Sequence, residues 1–405
     1  MKKLVLALVA LLVTVGMVTP VVADDKVSIS GEYRVFYYNL ENYDWNTTDD
    51  DSVVDYFHQR LRVATKIAVA DGVSINVRND FTESTWGAAG QNTARFENNA
   101  DIQFDKAYLE IAKDAYTLRL GQQYYRQGMG IVVDHLGTGA YVGLKSVPLT
   151  LIYTQLNEYG TNEKAGSDTD SYLVGAQFDI KPIGGSVFVS NLNDGAAGSN
   201  NTGVAGISMN QDLGAIKLKA ELDYFFGDNG LSGAAKVDNV GTQLYVDAST
   251  KLADNFTLGA IALYAMDAAD ADETQQTRLT KFADWEPHTY GPFTTEFDAL
   301  GGNDIWEACG ADAGIMGLEV YGTMNASADL DVLFSLAYLQ PVEDSLTKLP
   351  TLRADDVMMA NLSALYNFAP NTKVGAQLNY GTASAPIGPD PEDAIGLMAG
   401  IWTKF

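Results

Sequence analysis

Arg60, Arg62 and Lys66 stand at even positions of a segment whose odd positions include Leu61, Val63, Ile67 and Val69. On an extended strand that alternation puts the three bases on one face and the apolar side chains on the other. Arg78 takes the same parity in the next segment, with Asn76 and Asp80, and Arg119 sits between Leu118 and Leu120. If these segments pair side by side, at about 4.8 Å between strands, the bases form a ladder. Such a ladder attracts and orients polar or anionic groups without making or breaking bonds. Its expected counterpart is the stretch 125–138, which contains Arg126, Asp134 and His135. The run Gly128 to Val133 within it is more apolar than the other connecting stretches. It is therefore expected to fold inward, with Asp134 facing the bases.

Bond-making chemistry finds no support. His58, His135 and His288 fall on three separate segments without metal-ligand spacing. There is no Gly-x-Ser-x-Gly, no phosphate-binding Walker loop and no His-Glu-x-x-His, and no cofactor or metal is implied. Cys309 is the only cysteine, which leaves neither a disulfide framework nor a covalently attached c-type haem. Asp49, Asp50 and Asp51 are consecutive and lack the spaced ligands of a dedicated calcium loop.

The elements that would carry the ladder follow from the ends and the composition. Met1-Lys2-Lys3, the apolar run Leu4 to Val18 and Val21-Val22-Ala23 read as a secretory leader over residues 1–23. Removing it takes two lysines and no acid, leaving 382 residues at a net charge of −28. Such acidity argues against a nucleic-acid partner. After the leader no run of 18 or more residues is apolar enough for a transmembrane helix. Yet 46% hydrophobic residues and 21 tyrosines are too many for disorder.

The period is two instead. Ile216 to Tyr224 alternates apolar even positions with Lys217, Lys219, Glu221 and Asp223. Leu330 to Tyr338 and Val374 to Tyr380 alternate likewise. Eight tight turns recur at 70–72, 112–114, 146–148, 181–184, 212–214, 253–255, 326–328 and 369–371, each with turn-forming residues at hairpin spacing. Between them lie nine longer stretches, at 41–56, 82–100, 125–138, 157–170, 192–202, 227–236, 267–312, 341–355 and 383–392. Eight turns and nine loops require eighteen strands, sixteen being the alternative. An even number of strands, with short turns at one end and long loops at the other, predicts an all-β, antiparallel transmembrane barrel over 24–405. Tyr37, Tyr38, Phe57, Phe81, Tyr124, Tyr153, Tyr172, Phe225, Tyr264, Tyr338, Tyr366 and Tyr380 are read as an aromatic girdle at the long-loop ends.

The terminal segment Ala399 to Phe405, with Gly400 and the aromatic carboxyl terminus, resembles the assembly signal of bacterial outer-membrane proteins. Over the whole mature chain the architecture resembles Gram-negative porins. Asp105 to Ile111, followed by Leu118-Arg119-Leu120-Gly121-Gln122, is also similar to alginate-export-type eighteen-stranded channels. The resemblance implies an outer-membrane location, contact with lipid and lipopolysaccharide, and passive passage of small hydrophilic solutes. A homotrimer is the assembly it implies. Arg60, Arg62, Lys66, Arg78, Arg119, Arg126, Asp134 and His135 would then line the pore and its constriction. The alternatives are a channel specific for an oligosaccharide or anion, and a structural barrel around another envelope protein. No track of stacked aromatics, which a sugar channel would use, is visible among the expected inward positions.

Overall fold

The computed structural model describes residues 26–42, 53–86, 103–157, 171–194, 200–231, 236–268, 270, 272–279, 313–342, 355–384, 390 and 392–405. The expected leader, the Asp49–Asp51 run, and Trp285, His288, Trp306 and Cys309 of the expected long loop lie outside the described residues.

The strands are β1 (Val27–Glu41), β2 (Val53–Ala70), β3 (Val73–Thr85), β4 (Gln103–Ala112), β5 (Tyr116–Gln127), β6 (Val133–Leu144), β7 (Leu149–Asn157), β8 (Ser171–Ile180) and β9 (Gly185–Asp194). They continue as β10 (Asn200–Asp212), β11 (Ile216–Asp228), β12 (Asp238–Ala253), β13 (Phe256–Ala265), β14 (Glu273–Gln275) and β15 (Ile315–Asn325). The last four are β16 (Leu330–Gln340), β17 (Asp356–Ala369), β18 (Thr372–Ser384) and β19 (Ala394–Lys404). All but β14 pair antiparallel with their sequence neighbours, and β1 pairs with both β2 and β19. The result is a closed wall of eighteen strands with no free edge, the number given by the turns. The short β14 lies parallel on the start of β12.

Alternation decides which face turns where. On β11, Leu222, Tyr224 and Phe226 are exposed, whereas Glu221, Asp223 and Phe225 are each 1% exposed. The exposed set is apolar and belongs to the outer surface; the buried, largely polar set points inward. Leu244, Leu336, Leu362 and Leu378 extend the apolar exterior around the wall. Among the described residues no helix is long and apolar enough to cross a membrane.

The seam closes through the carboxyl terminus. Gly31 N donates to Phe405 O at 2.8 Å, and Phe405 N donates back to Gly31 O at 3.0 Å. A Cβ on Gly31 would stand 2.4 Å from the Phe405 ring and 2.6 Å from the Arg62 carbonyl, so only glycine admits this approach.

Four members of the expected girdle are placed differently, among them Tyr124, whose hydroxyl accepts from Arg78 on the inner side. Tyr38 and Phe225 point inward and are buried. Tyr366 pairs with Leu330 at the short-turn end of β17. Phe57, Tyr264, Tyr338 and Tyr380 are exposed.

Candidate functional site

The expected ladder is assembled on β2 to β5, but acids interleave it. Arg62 donates from Nε to Asp80 Oδ1 and from Nη2 to Asp80 Oδ2, each at 2.6 Å. Its Nη2 also lies 3.0 Å from Asp105 Oδ2, which Arg78 engages from the other side at 2.6 Å. Arg60 meets Glu32 at 3.1 Å, and Glu110 receives Arg119 at 2.8 Å with Lys66 at 3.8 Å. Charge-assisted pairs of this kind hold side chains in fixed orientations and leave less field than bare arginines would. With Arg34 and Lys106 on the same stretch, bases still outnumber acids. A cleft of about 180 Å³ beside them is lined by Lys66, Asn76, Arg78, Lys106 and Tyr108.

Glu32 and Lys106 were not among the expected site residues, and Asp105 is hidden by a bulge. Arg78 pairs with Lys106 and Asn79 with Phe104, so Asp105 is the extra residue between them. Both Asp105 and Lys106 therefore reach the basic cluster, which strict alternation forbids. A second irregularity, between Leu61 and Arg62 against β3, brings Asp80 opposite Arg62.

The expected loop 125–138 is mostly strand. β5 pairs with β6 without interruption from Tyr116↔Leu144 to Gln127↔Val133, leaving a tip of residues 128–132. The wall partners stop earlier: β4 pairs with β5 only as far as Gln122, and β7 with β6 only as far as Thr138. Residues 123–137 thus form a two-stranded hairpin that has left the wall on both sides. Its tip reaches strands farther round the wall. Gly128 N donates to Gln177 Oε1 of β8 at 3.0 Å, Ser190 Oγ of β9 donates to Gln127 Oε1, and Met129 N donates to Glu221 Oε2 of β11.

The hairpin has two chemically different faces. Toward the ladder, Tyr124 accepts from Arg78 Nη2 at 3.2 Å, and Lys106 Nζ lies 4.8 Å from its ring centre. On the other face, Tyr125, Ile131, Val132 and Val133 are buried in a cluster with Phe188, Phe225 and Tyr245. Leu279 joins that cluster, and its N–H donates to Val132 O at 2.9 Å, so a piece of the long stretch 267–312 packs on the tip.

Asp134 is placed on the hairpin and not on the wall strands that carry the ladder. It pairs across the hairpin with Arg126, because both lie beyond the point where the hairpin leaves the wall. Arg126 donates to the Met129 carbonyl. His135 stands opposite Tyr125 in the same hairpin. The structure thus separates the expected set into a wall group (Arg60, Arg62, Lys66, Arg78, Arg119) and a hairpin group (Arg126, Asp134, His135).

From β11 onward the inner face that meets the tip is acidic. Glu221, Asp223, Asp247 and Glu319 are all buried on β11, β12 and β15. Lys219 engages Asp247 at 3.2 Å, and Tyr321 donates to the same carboxylate at 2.7 Å. A basic stretch and an acidic stretch therefore face the hairpin from different sides. A cleft of about 400 Å³ between the tip and β8 to β10 is lined by Gly128, Gln177, Asp179, Lys181, Ser186 and Ser208.

Inward aromatics, unseen in the sequence, gather where β1 meets β2 and β19. Phe36 and Trp402 are 5.8 Å apart edge to face, and Tyr38 stacks on Tyr56 at 5.0 Å. Phe36 and Tyr38 are buried, so they pack this part of the wall and present no open face. Among the described residues no group of three or more His, Cys, Asp or Glu side chains is arranged to hold a metal ion.

No family model matches the chain, and no curated protein does. Solved structures do. The outer membrane channel DcaP of Acinetobacter baumannii superposes with a TM-score of 0.52 at 14% identity, covering 96% of this chain and 100% of that one. OccAB2 of Acinetobacter baumannii gives 0.58 at 12% identity, over 94% of this chain and 98% of that one. OpdK of Pseudomonas aeruginosa, solved with vanillate, gives 0.57 at 11% identity, over 94% of this chain and 98% of that one. At these identities the likeness is one of fold: over nearly its whole length the chain folds as bacterial outer-membrane channels do.

Proposed function

We propose that this protein is an outer-membrane porin through which small hydrophilic solutes or ions diffuse passively, and that it performs no catalysis. The observation that carries the reading is the combination of a closed wall, apolar outside, with an interior of ion-paired charges. An apolar exterior around a polar lumen has its natural place in lipid, with water inside. Outer-membrane lipid and lipopolysaccharide would surround the belt, residues 1–23 would direct export, and a homotrimer is the expected assembly. The hairpin 123–137 would form the constriction. Permeants would pass between its Tyr124 face and the ladder, filtered by width and by the paired charges.

A substrate-specific channel is the second reading, favoured by one observation. The hairpin tip is bonded to β8, β9 and β11 and packed in a buried apolar cluster, which narrows the lumen more than a loose loop would. The excess of bases along β1 to β5 supports an anion as the selected solute.

Single-channel conductance in a planar bilayer, with the reversal potential under a salt gradient, tests both. Large ohmic steps support the general porin. Small steps blocked by one class of solute favour the specific channel, and the absence of steps with folded protein overturns both.

A further inference from the structure

We propose that Glu221, Asp223 and Gln243 form a binding site for a hard divalent cation of the Ca²⁺ type, which anchors the tip of the inner hairpin. The first two residues are two apart on β11 and point to the same side; Gln243 of β12 is the direct cross-strand partner of Asp223. Each of the three is 1% exposed. Gln243 Nε2 lies 3.4 Å from Asp223 Oδ2, and Glu221 Oε2 accepts from Met129 N. That leaves Glu221 Oε1, Asp223 Oδ1 and Gln243 Oε1 buried without a hydrogen-bond partner among the described residues.

Two neighbouring carboxylates sealed from water are costly unless a cation meets them. Of the bases in reach, Lys219 is engaged by Asp247, and Arg126, whose guanidinium donates to the Met129 carbonyl, bears on Glu221 through space without bonding either carboxylate. Apolar neighbours frame the site. A Cβ on Gly128 would stand 2.6 Å from the Phe188 ring as well as against Glu221 Oε2, and one on Gly206 would stand 2.3 Å from Asp223 Oδ1. Two carboxylate oxygens and an amide oxygen are hard donors, which suit Ca²⁺ or Mg²⁺ and not Zn²⁺. Three donors on two adjacent strands cannot impose the octahedron that Mg²⁺ demands, whereas Ca²⁺ accepts irregular shells in which carboxylates bind through one oxygen or both. Because Glu221 holds the tip through its other oxygen, a cation on Oε1 would fix the carboxylate and so fix the hairpin. The binding site stands whether or not the barrel conducts; its effect on the hairpin rests on the proposed constriction.

The test uses the full chain refolded in detergent micelles, stripped with EDTA and titrated with Tb³⁺ as the probe. Tyr245, directly opposite Glu221, provides the sensitising ring. The expected result is a saturable luminescence component on tyrosine excitation, displaced by Ca²⁺ and not by Na⁺. Asp223→Asn should abolish it, and Gln243→Glu, which adds a carboxylate, should tighten binding by about tenfold. The heat-dependent shift in gel mobility shows whether each variant is folded. If Asp223→Asn fails to fold, Gln243→Leu takes its place, with binding weakened by about tenfold expected. A component unchanged in a folded variant overturns the site and assigns the ion to surface acids. No component in the wild-type chain overturns it too, in favour of a proton shared by the pair. A normal component in protein that shows no conductance leaves the site standing and sinks the channel reading instead.

Discussion

Arg62 and Asp80 clasp each other side by side across β2 and β3, with two parallel bonds of 2.6 Å, while Asp80 is only 3% exposed. The clasp holds the arginine still and cancels most of its charge. Asp80→Asn should release that charge, leaving Arg62 with Asp105 alone at 3.0 Å. The reversal potential should move toward anion preference, with the permeability ratio changing on the order of twofold. Arg62→Gln should move it the other way. If neither variant shifts the potential, ions do not pass along this wall.

The hairpin tip makes a second prediction. Gly128 has φ +54°, and a Cβ there would meet Glu221 Oε2 and the Phe188 ring. Gly128→Val combines a strained backbone with a clash on both sides, so the tip should be driven off β11. Residues 123–137 carry no ladder to β4 or β7, so the wall itself should stay intact. Single-channel conductance should rise by about twofold or more, with unchanged heat-dependent gel mobility. Unaltered conductance would show that the tip does not limit the path.

The wall was legible in the sequence because its rules are local. Gly72, Pro148, Gly184, Gly214, Asn255 and Asn371 mark tight turns that the structure contains, and the alternation of Ile216 to Tyr224 gives the correct faces. The site was only half legible. Parity found Arg60, Arg62, Arg78 and Arg119, yet it could not find Asp105, since a bulge inserts one residue and defeats counting by two. Nor does any local signal say that β5 and β6 leave the wall after Gln122 and before Thr138; that depends on the apolar cluster waiting across the lumen. Only the apolar character of Gly128 to Val133 announced it. Tyr38 and Phe225 enter the expected girdle by nearness to a strand end alone, although parity with Glu221 and Asp223 sets Phe225 on the inner face. An aromatic near a strand end serves a girdle or a core equally well until its face is known.

Orientation of the faces can be tested by stability. Leu222 is exposed on the outer face between Ile207 and Leu244, its cross-strand partners. Leu222→Arg should destabilise the barrel in lipid vesicles by about 2–4 kcal/mol if this belt lies near the bilayer midplane. Lys219→Arg, on the inner face and half exposed, should change stability by less than about 1 kcal/mol. Urea unfolding followed by tryptophan fluorescence reads both. Equal effects of the two substitutions would mean that the apolar belt does not face lipid.

The seam is the place where the wall can fail to close. Gly31 and Phe405 exchange two backbone hydrogen bonds, and the phenyl ring lies over the glycine where any Cβ would collide. Gly31→Val meets the ring and also the Arg62 carbonyl at 2.6 Å, and a backbone oxygen cannot swing aside as a side chain can. β1 must then shift relative to both β2 and β19. Phe405→Ala removes the ring but keeps the backbone pair. Since Phe405 is 58% exposed, that change should cost no more than about 1–2 kcal/mol. Refolding yield into micelles, scored by heat-dependent mobility, should therefore fall steeply for Gly31→Val and slightly for Phe405→Ala. Adding Phe405→Ala to Gly31→Val should restore little, because the carbonyl clash persists. A full restoration would place the obstruction in the ring alone and show that the β1–β2 spacing has room to give.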